Sequence, residues 1–306
     1  MTHATVSAER GREDLALTFA EVGVGIEGKD LNGQVDVRGA YPTAGDTEFP
    51  VQLGQAFGGY SNDFFGVSAG LQNTLAGYEP VNPAQYPFIT RSYLYTNGPV
   101  SDLGGRIRLG PEFVSLIGGI YTSNFGFLGD NNRAPAGLIG FHLSLKKFSL
   151  VMNGLVGPEQ DNNNKDIRFM GDLVLSVTPH EMLELGLNFD YAQDKQDEKQ
   201  KHWEGGAVYL TLTPRQWIQW ANRVEMFHDP EGTITGQENL FALGVTTALN
   251  FRLIRPPQQL DFRLEYSLLH DVDGNATING RRNANLFSAS LVYQFGINRK
   301  LKGKED

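Results

Sequence analysis

The chain has 306 residues, a net charge of −9 and no cysteine. The acidic balance without a basic stripe argues against a nucleic-acid partner, and the missing thiols exclude a disulfide scaffold or a Cys-type metal site. No 20-residue apolar stretch is present that would span a bilayer as a helix, yet 36 glycines, 11% aromatic residues and a mean hydropathy of −0.30 suit a chain of many strands and turns.

Period-two alternation recurs from end to end and predicts roughly fifteen strands. They begin near Leu15, Gln34, Val51, Phe65, Leu103, Phe113, Leu138, Phe148, Ile167, Leu183, Glu204, Ile218, Leu240, Leu260 and Asn285. The clearest is Leu183–Tyr191, with Leu185, Leu187 and Phe189 on one face and Glu184, Gly186, Asn188 and Asp190 on the other. Leu260–Leu268 repeats the pattern, and Phe241–Leu253 is long enough to cross a membrane at a tilt. Such strands spend only every other residue on lipid, so modest average hydropathy is compatible with a membrane wall.

The connections sort into two classes. Gly110–Glu112, Lys146–Lys147, Thr178–Met182, Thr213–Trp217 and Ile254–Gln259 are short. Asn124–Pro135, Gly157–Asp166, Gln193–His202, His228–Asn239 and Asp271–Ala284 are long, and Asn73–Asp102 is the longest. Short turns on one rim and long loops on the other predict an all-β fold: a transmembrane, antiparallel, up-and-down barrel in a bacterial outer membrane. The strands beginning at Leu15 and Asn285 run in the same direction, so fifteen cannot close antiparallel. One outward-running strand is therefore expected to be missing from this chain before Leu15, together with a signal peptide upstream of it, which gives sixteen strands in the intact protein. Residues 1–14 then become a remnant of the first extracellular loop, 15–295 the barrel and 296–306 a charged tail.

Several segments resemble the putative OmpL-like β-barrel porins, the β-barrel porin-2 family. Similar stretches run from about Leu15 to Phe295, and the strongest are Ala76–Val81 with Arg91–Pro99, Gly157–Gln160, Leu187–Tyr191, Asn222–Gly232, Phe262–Tyr266 and the ending Ser290–Phe295. The resemblance implies an outer-membrane location in Gram-negative bacteria and a diffusion pore. Two departures are expected: family members carry a signal peptide and a further N-terminal strand, both read as absent here, and they stop near the final aromatic, whereas this chain adds Gly296–Asp306. Tyr293 and Phe295 resemble the ending read by the barrel-assembly machinery, with Ser290 where that signal has Gly.

Charges facing lipid at mid-membrane cost about 2–4 kcal/mol, so the polar faces are assigned inward. That places Asp36, Arg38, Arg106, Arg108, Arg168, Asp172, Glu184, Asp190, Arg223, Glu225, Arg252, Asp261, Arg263 and Glu265 inside. Seven are basic and seven acidic, which predicts no strong ion selectivity. Pairs such as Arg223/Glu225 and Arg263/Glu265 are equally readable as wall ladders. The 73–102 loop is either a constriction folded into the lumen, lined by Glu79, Arg91 and Tyr95, or a Pro-rich surface lid. As a constriction it would set a charge pair across a narrow passage.

The tips His228–Gly232 and His270–Gly274 carry acidic groups but lack EF-hand spacing and read as turns. His142 and Ser144 share one strand face, yet the sequence nominates no third group for a catalytic trio. Phe148, Phe169, Trp217, Trp220, Phe251, Tyr293 and Phe295 are candidates for interfacial girdles. The expectation is therefore a channel rather than an enzyme, without cofactor or metal. It would admit ions or small polar solutes by passive diffusion, in contact with outer-membrane lipid and open to oligomer formation. A barrel plugged by its own loops, serving as a scaffold or partner sleeve, is the alternative.

Overall fold

A computed structural model describes residues 2–10, 15–27, 30–40, 51–122, 132, 134–160, 162–196, 199–256, 258–273 and 282–297. Sixteen strands form one closed antiparallel barrel in which every strand pairs with its chain neighbours and the first pairs with the last. The strands are β1 (Thr2–Arg10), β2 (Leu15–Glu27), β3 (Leu31–Ala40), β4 (Val51–Ser61), β5 (Phe65–Asn73), β6 (Ser101–Leu109), β7 (Val114–Thr122) and β8 (Ala136–Leu145). They continue as β9 (Phe148–Gln160), β10 (Asn163–His180), β11 (Leu183–Gln196), β12 (Lys199–Arg215), β13 (Ile218–Glu231), β14 (Glu238–Ile254), β15 (Gln258–Asp271) and β16 (Asn283–Ile297).

The sixteenth strand lies inside the segment expected to be a loop remnant. Thr2–Arg10 pairs along its whole length with Ala289–Ile297 of β16 and with Leu15–Val24 of β2. The parity argument for an even count holds, but the strand expected to be missing is present: residues 2–10 are corrected from loop remnant to closing strand. The pattern Thr-His-Ala-Thr-Val-Ser-Ala-Glu-Arg carries one large aliphatic, which is why alternation did not reveal it. At the other end β16 extends to Ile297, and the rest of the expected tail lies outside the described residues.

Two expected long loops are also corrected. Gly157–Asp166 and Gln193–His202 continue as ladder, with β9 reaching Gln160, β10 starting at Asn163, β11 reaching Gln196 and β12 starting at Lys199. Strands of 17 or 18 residues exceed the ~9–11 needed to cross a bilayer. Their outer ends stand in water, where both faces are polar and alternation vanishes, although backbone pairing persists.

Within the membrane the two faces differ as alternation requires. Along β11, Gly186, Asn188, Asp190, Ala192 and Asp194 are buried, whereas Leu185 and Phe189 are exposed. Val22, Val24, Ile120, Ile139, Val208, Val224 and Val245 are each at least half exposed, forming an apolar outer wall for lipid. Trp217, Trp220, Phe251 and Tyr293 cluster on that wall toward the short-turn rim, with Phe251 stacked on Phe262 and Tyr293 6.0 Å from Phe295. Phe169 stands nearer the other rim, beside Val156 and Gln193.

Candidate functional site

The segment between β5 and β6 turns into the barrel. It carries a short 3-10 turn, Pro83–Gln85, capped by Asn82, and a five-residue helix α1, Tyr93–Asn97, capped by Ser92. A backbone taken inside a barrel has no ladder to join, so its N–H and C=O groups need other partners. The wall supplies them. Gly77 N–H donates to Asp172 Oδ1 (3.0 Å) and Tyr78 N–H to Asn188 Oδ1 (3.0 Å). Ile89 and Thr90 N–H donate to the two oxygens of Glu265 (2.6 and 3.0 Å), and Tyr93 N–H to Glu225 Oε2 (2.7 Å).

Loop carbonyls are met from the same wall. Asn153 donates to Leu75 O, Arg263 to Pro83 O, Asn250 to Pro87 O, and Arg223 to both Thr90 O and Arg91 O. Asn82 reaches the other way and donates to Glu21 Oε1 on β2 (3.0 Å). The loop is thus laid against β9–β15 and tied across the lumen to β2, which decides against the surface-lid reading.

Side chains complete the docking. Tyr78 stacks on Tyr209 at 4.2 Å, Tyr93 on Phe227 at 5.4 Å, and Phe88 meets Tyr209 edge-on. Burial holds the Tyr78 and Tyr86 phenols protonated well above their ordinary range. Two wall glycines make room. A Cβ on Gly186 would stand 2.5 Å from the Tyr78 ring, and one on Gly205 would stand 2.6 Å from Leu94 Cδ2. Glycine inside a strand commonly marks such a close approach.

The expected lining residues divide into three groups. Asp172, Asp190, Arg223, Glu225, Asp261, Arg263 and Glu265 point inward but are buried, most of them beneath the loop. Arg223 is the hub, donating to Glu225 (3.0 Å) and the Tyr86 hydroxyl (3.1 Å) and lying 3.6 Å from Glu79. Arg168 forms a two-pronged pair with Asp194 (2.7 and 2.6 Å) higher on the wall.

Arg106, Arg108, Glu184 and Arg252 remain partly accessible. Arg106 donates to Asn73 O, Arg108 to the carbonyls of Asn62 and Gly110, and Arg252 pairs with Asp261 at 3.2 Å. Glu184 accepts from the Tyr78 hydroxyl at 3.1 Å.

Glu79 and Arg91 do not face each other across a passage. They lie 3.7 Å apart within the loop, and Glu79 is turned into protein, accepting from Ser92 N–H and the Tyr209 hydroxyl. Arg91 is held between the rings of Tyr86 and Tyr95, at 4.9 and 4.3 Å.

Cavities flank the loop on its β10–β16 side, and part of the space it leaves lies against β2–β4. A cavity of about 450 Å³ is bordered there by Gln34 and Gln55 from the wall and Asn82, Gln85 and Tyr95 from the loop. Glu21 and Arg38 also border it but pair with each other at 2.8 Å, both buried. Gln34 is shared with a second cavity of about 640 Å³ that contains Arg106 and Arg108. Tyr78 and Gln85 are shared with a third, of about 500 Å³, that contains Arg252 and Glu184. Glu21 and the wall glutamines escaped the sequence analysis because a neutral amide at an inward position looks like any other polar residue. For the glycine seats the signal was present, since Gly186 and Gly205 interrupt strong strands.

Residues 24–295 match the family described as putative beta-barrel porin-2, OmpL-like. The chain belongs to this family. It is an outer-membrane porin, and the barrel wall and inward loop are the parts of a porin channel. No curated protein matches its sequence. Among solved structures it is similar to OmpF of Salmonella typhi in complex with daunomycin, with a TM-score of 0.69 and 11% identity over 96% of this chain and 97% of that one. DcaP, an outer membrane channel of Acinetobacter baumannii, gives 0.64 and 10% over 96% and 95%. An anion-selective porin from Comamonas acidovorans gives 0.64 and 9% over 96% and 97%. At these identities the likeness is one of fold.

Other candidate features of this porin have structural roles. Asp229 accepts from the N–H groups of Thr233, Ile234 and Thr235 and so closes the β13–β14 turn. Of the second acidic tip, His270–Asp273 is described, with the Asp271 N–H donating to Arg282 O (3.0 Å), and Gly274 lies outside the described residues. The His142 ring lies 3.3 Å from Asn153 Oδ1. Among the described residues no group of three or more His, Asp or Glu is placed to hold a metal.

Proposed function

We propose that small polar solutes and ions cross this porin by passive diffusion through the passage between the inward loop and the β2–β4 wall. The observation that carries this reading is that the loop does not fill the lumen. It is hydrogen-bonded along β9–β15 and reaches the β2 side through Asn82, and the polar cavities beside it share lining residues, Gln34 toward one and Tyr78 and Gln85 toward another.

Residues Arg106, Arg108, Glu184, Arg252 and Tyr95 line this route, whereas Arg91, Asp172, Asp190, Arg168, Arg223, Glu225, Asp261, Arg263 and Glu265 hold the loop and wall in shape. Because the charged groups at the narrow part are paired, selection is chiefly by size, and ion selectivity is weak. Purified protein in a planar bilayer should give stable single-channel openings, with a reversal potential near zero in a KCl gradient. A folded barrel without openings would establish the plugged-scaffold alternative instead.

A further inference from the structure

The chemistry of the narrow cavity is uneven, and in a way that an ion sieve does not require. One side presents amides. Gln34 and Gln55 come from adjacent strands, and each donates one N–H to the same oxygen of buried Asp36, at 2.8 Å. That shared acceptor fixes the direction of both amide groups. Gln85 of the loop and Gln294 of β16 border the same space. The other side presents aromatic rings, each backed on one face. Tyr78 rests on Tyr209, and Tyr95 carries the Arg91 guanidinium 4.3 Å from its centroid.

The charged groups on the lining are already engaged. Glu21 and Arg38 pair at 2.8 Å, and Glu79 lies within 3.7 Å of two arginines. Asp190, the remaining carboxylate, is buried and accepts from the Asn188 amide at 3.0 Å. A charged solute therefore meets no exposed, unengaged counter-charge there, and leaving water would cost it more than a neutral one. A solute with many hydroxyls suits oriented amides, since each amide both donates and accepts. Its C–H faces suit an aromatic ring. At about 450 Å³ the cavity falls within the ~300–1,000 Å³ typical of small-molecule sites.

We infer that the cavity between Gln34, Gln55 and Tyr95 is a binding site for neutral polyhydroxylated solutes, of the carbohydrate class, on the permeation path. The inference rests on the diffusion route proposed above. Binding is weak and reversible, as conduction requires a solute to leave as readily as it enters.

The test is a planar-bilayer titration of the full chain with maltose, with gluconate and glucosamine as charged comparators. Maltose is expected to lower the ion current along a saturating curve, and the charged comparators are not. Gln34→Leu and Tyr95→Ala should each raise the half-blocking concentration about 2- to 10-fold, the equivalent of one hydrogen-bond-sized contact. Val224→Ala on the lipid face should leave it as in wild type, and the ion current of each variant reports that it has folded. Steady ion current with only a linear, viscosity-like effect of maltose would overturn the inference while leaving the channel intact. Tighter block by either charged comparator would do the same. Absence of any ion current would instead overturn the diffusion route itself.

Discussion

Removing the Glu265 carboxylate should loosen the inward loop in a way that current recordings can read. Glu265 is 2% exposed and its two oxygens accept the N–H groups of Ile89 and Thr90 at 2.6 and 3.0 Å. In Glu265→Ala both N–H groups lose their acceptor in a site that water reaches poorly. Leaving a buried donor unsatisfied costs about 1–3 kcal/mol, so two cost about 2–6 kcal/mol of docking free energy. With tenfold per ~1.4 kcal/mol, the undocked population rises roughly 30-fold or more. Glu265→Gln keeps one acceptor oxygen and should fall between wild type and Ala. The expected record is one of larger openings and added current noise, graded from wild type through Gln to Ala, with the barrel still folded in detergent. Equal conductance and noise in all three proteins would show that the loop is held by packing and that these hydrogen bonds do not determine its position.

Three further outcomes follow from the same geometry. Gly186→Val should push the Tyr78 ring off Tyr209 because its Cβ would stand 2.5 Å from that ring, and denaturant titration should show about 1–3 kcal/mol of lost stability. Val224→Arg, on the outer wall in the middle of β13, should destabilise by about 2–4 kcal/mol in lipid, read by unfolding of the protein in vesicles. Glu21→Gln should leave Arg38 without its 2.8 Å partner beside the passage and move the reversal potential toward anion preference. Arg38→Gln should move it the opposite way, and unchanged potentials in both would place the passage elsewhere.

The wall of the barrel was legible from the chain because lipid imposes a rule on single residues. Leu185, Leu187 and Phe189 had to face outward and Asn188 and Asp190 inward, and that assignment needs nothing from distant parts of the sequence. The rule fails where lipid ends. The outer parts of β9–β12 were taken for loops because water wets both faces there, and β1 was missed because Thr, Ser and Ala give alternation little amplitude.

The strand count and the two-sided wall were therefore set by sequence alone, through the demand that every backbone group pair in a closed ring and every lipid-facing side chain be apolar. Only the tertiary structure could decide that residues 74–100 lie inside, or that Glu265, Glu225 and Asp172 serve the loop backbone rather than an open pore. These contacts join residues 95 to 176 positions apart in the chain, and a carboxylate has the same local pattern whether its partner is water or a loop.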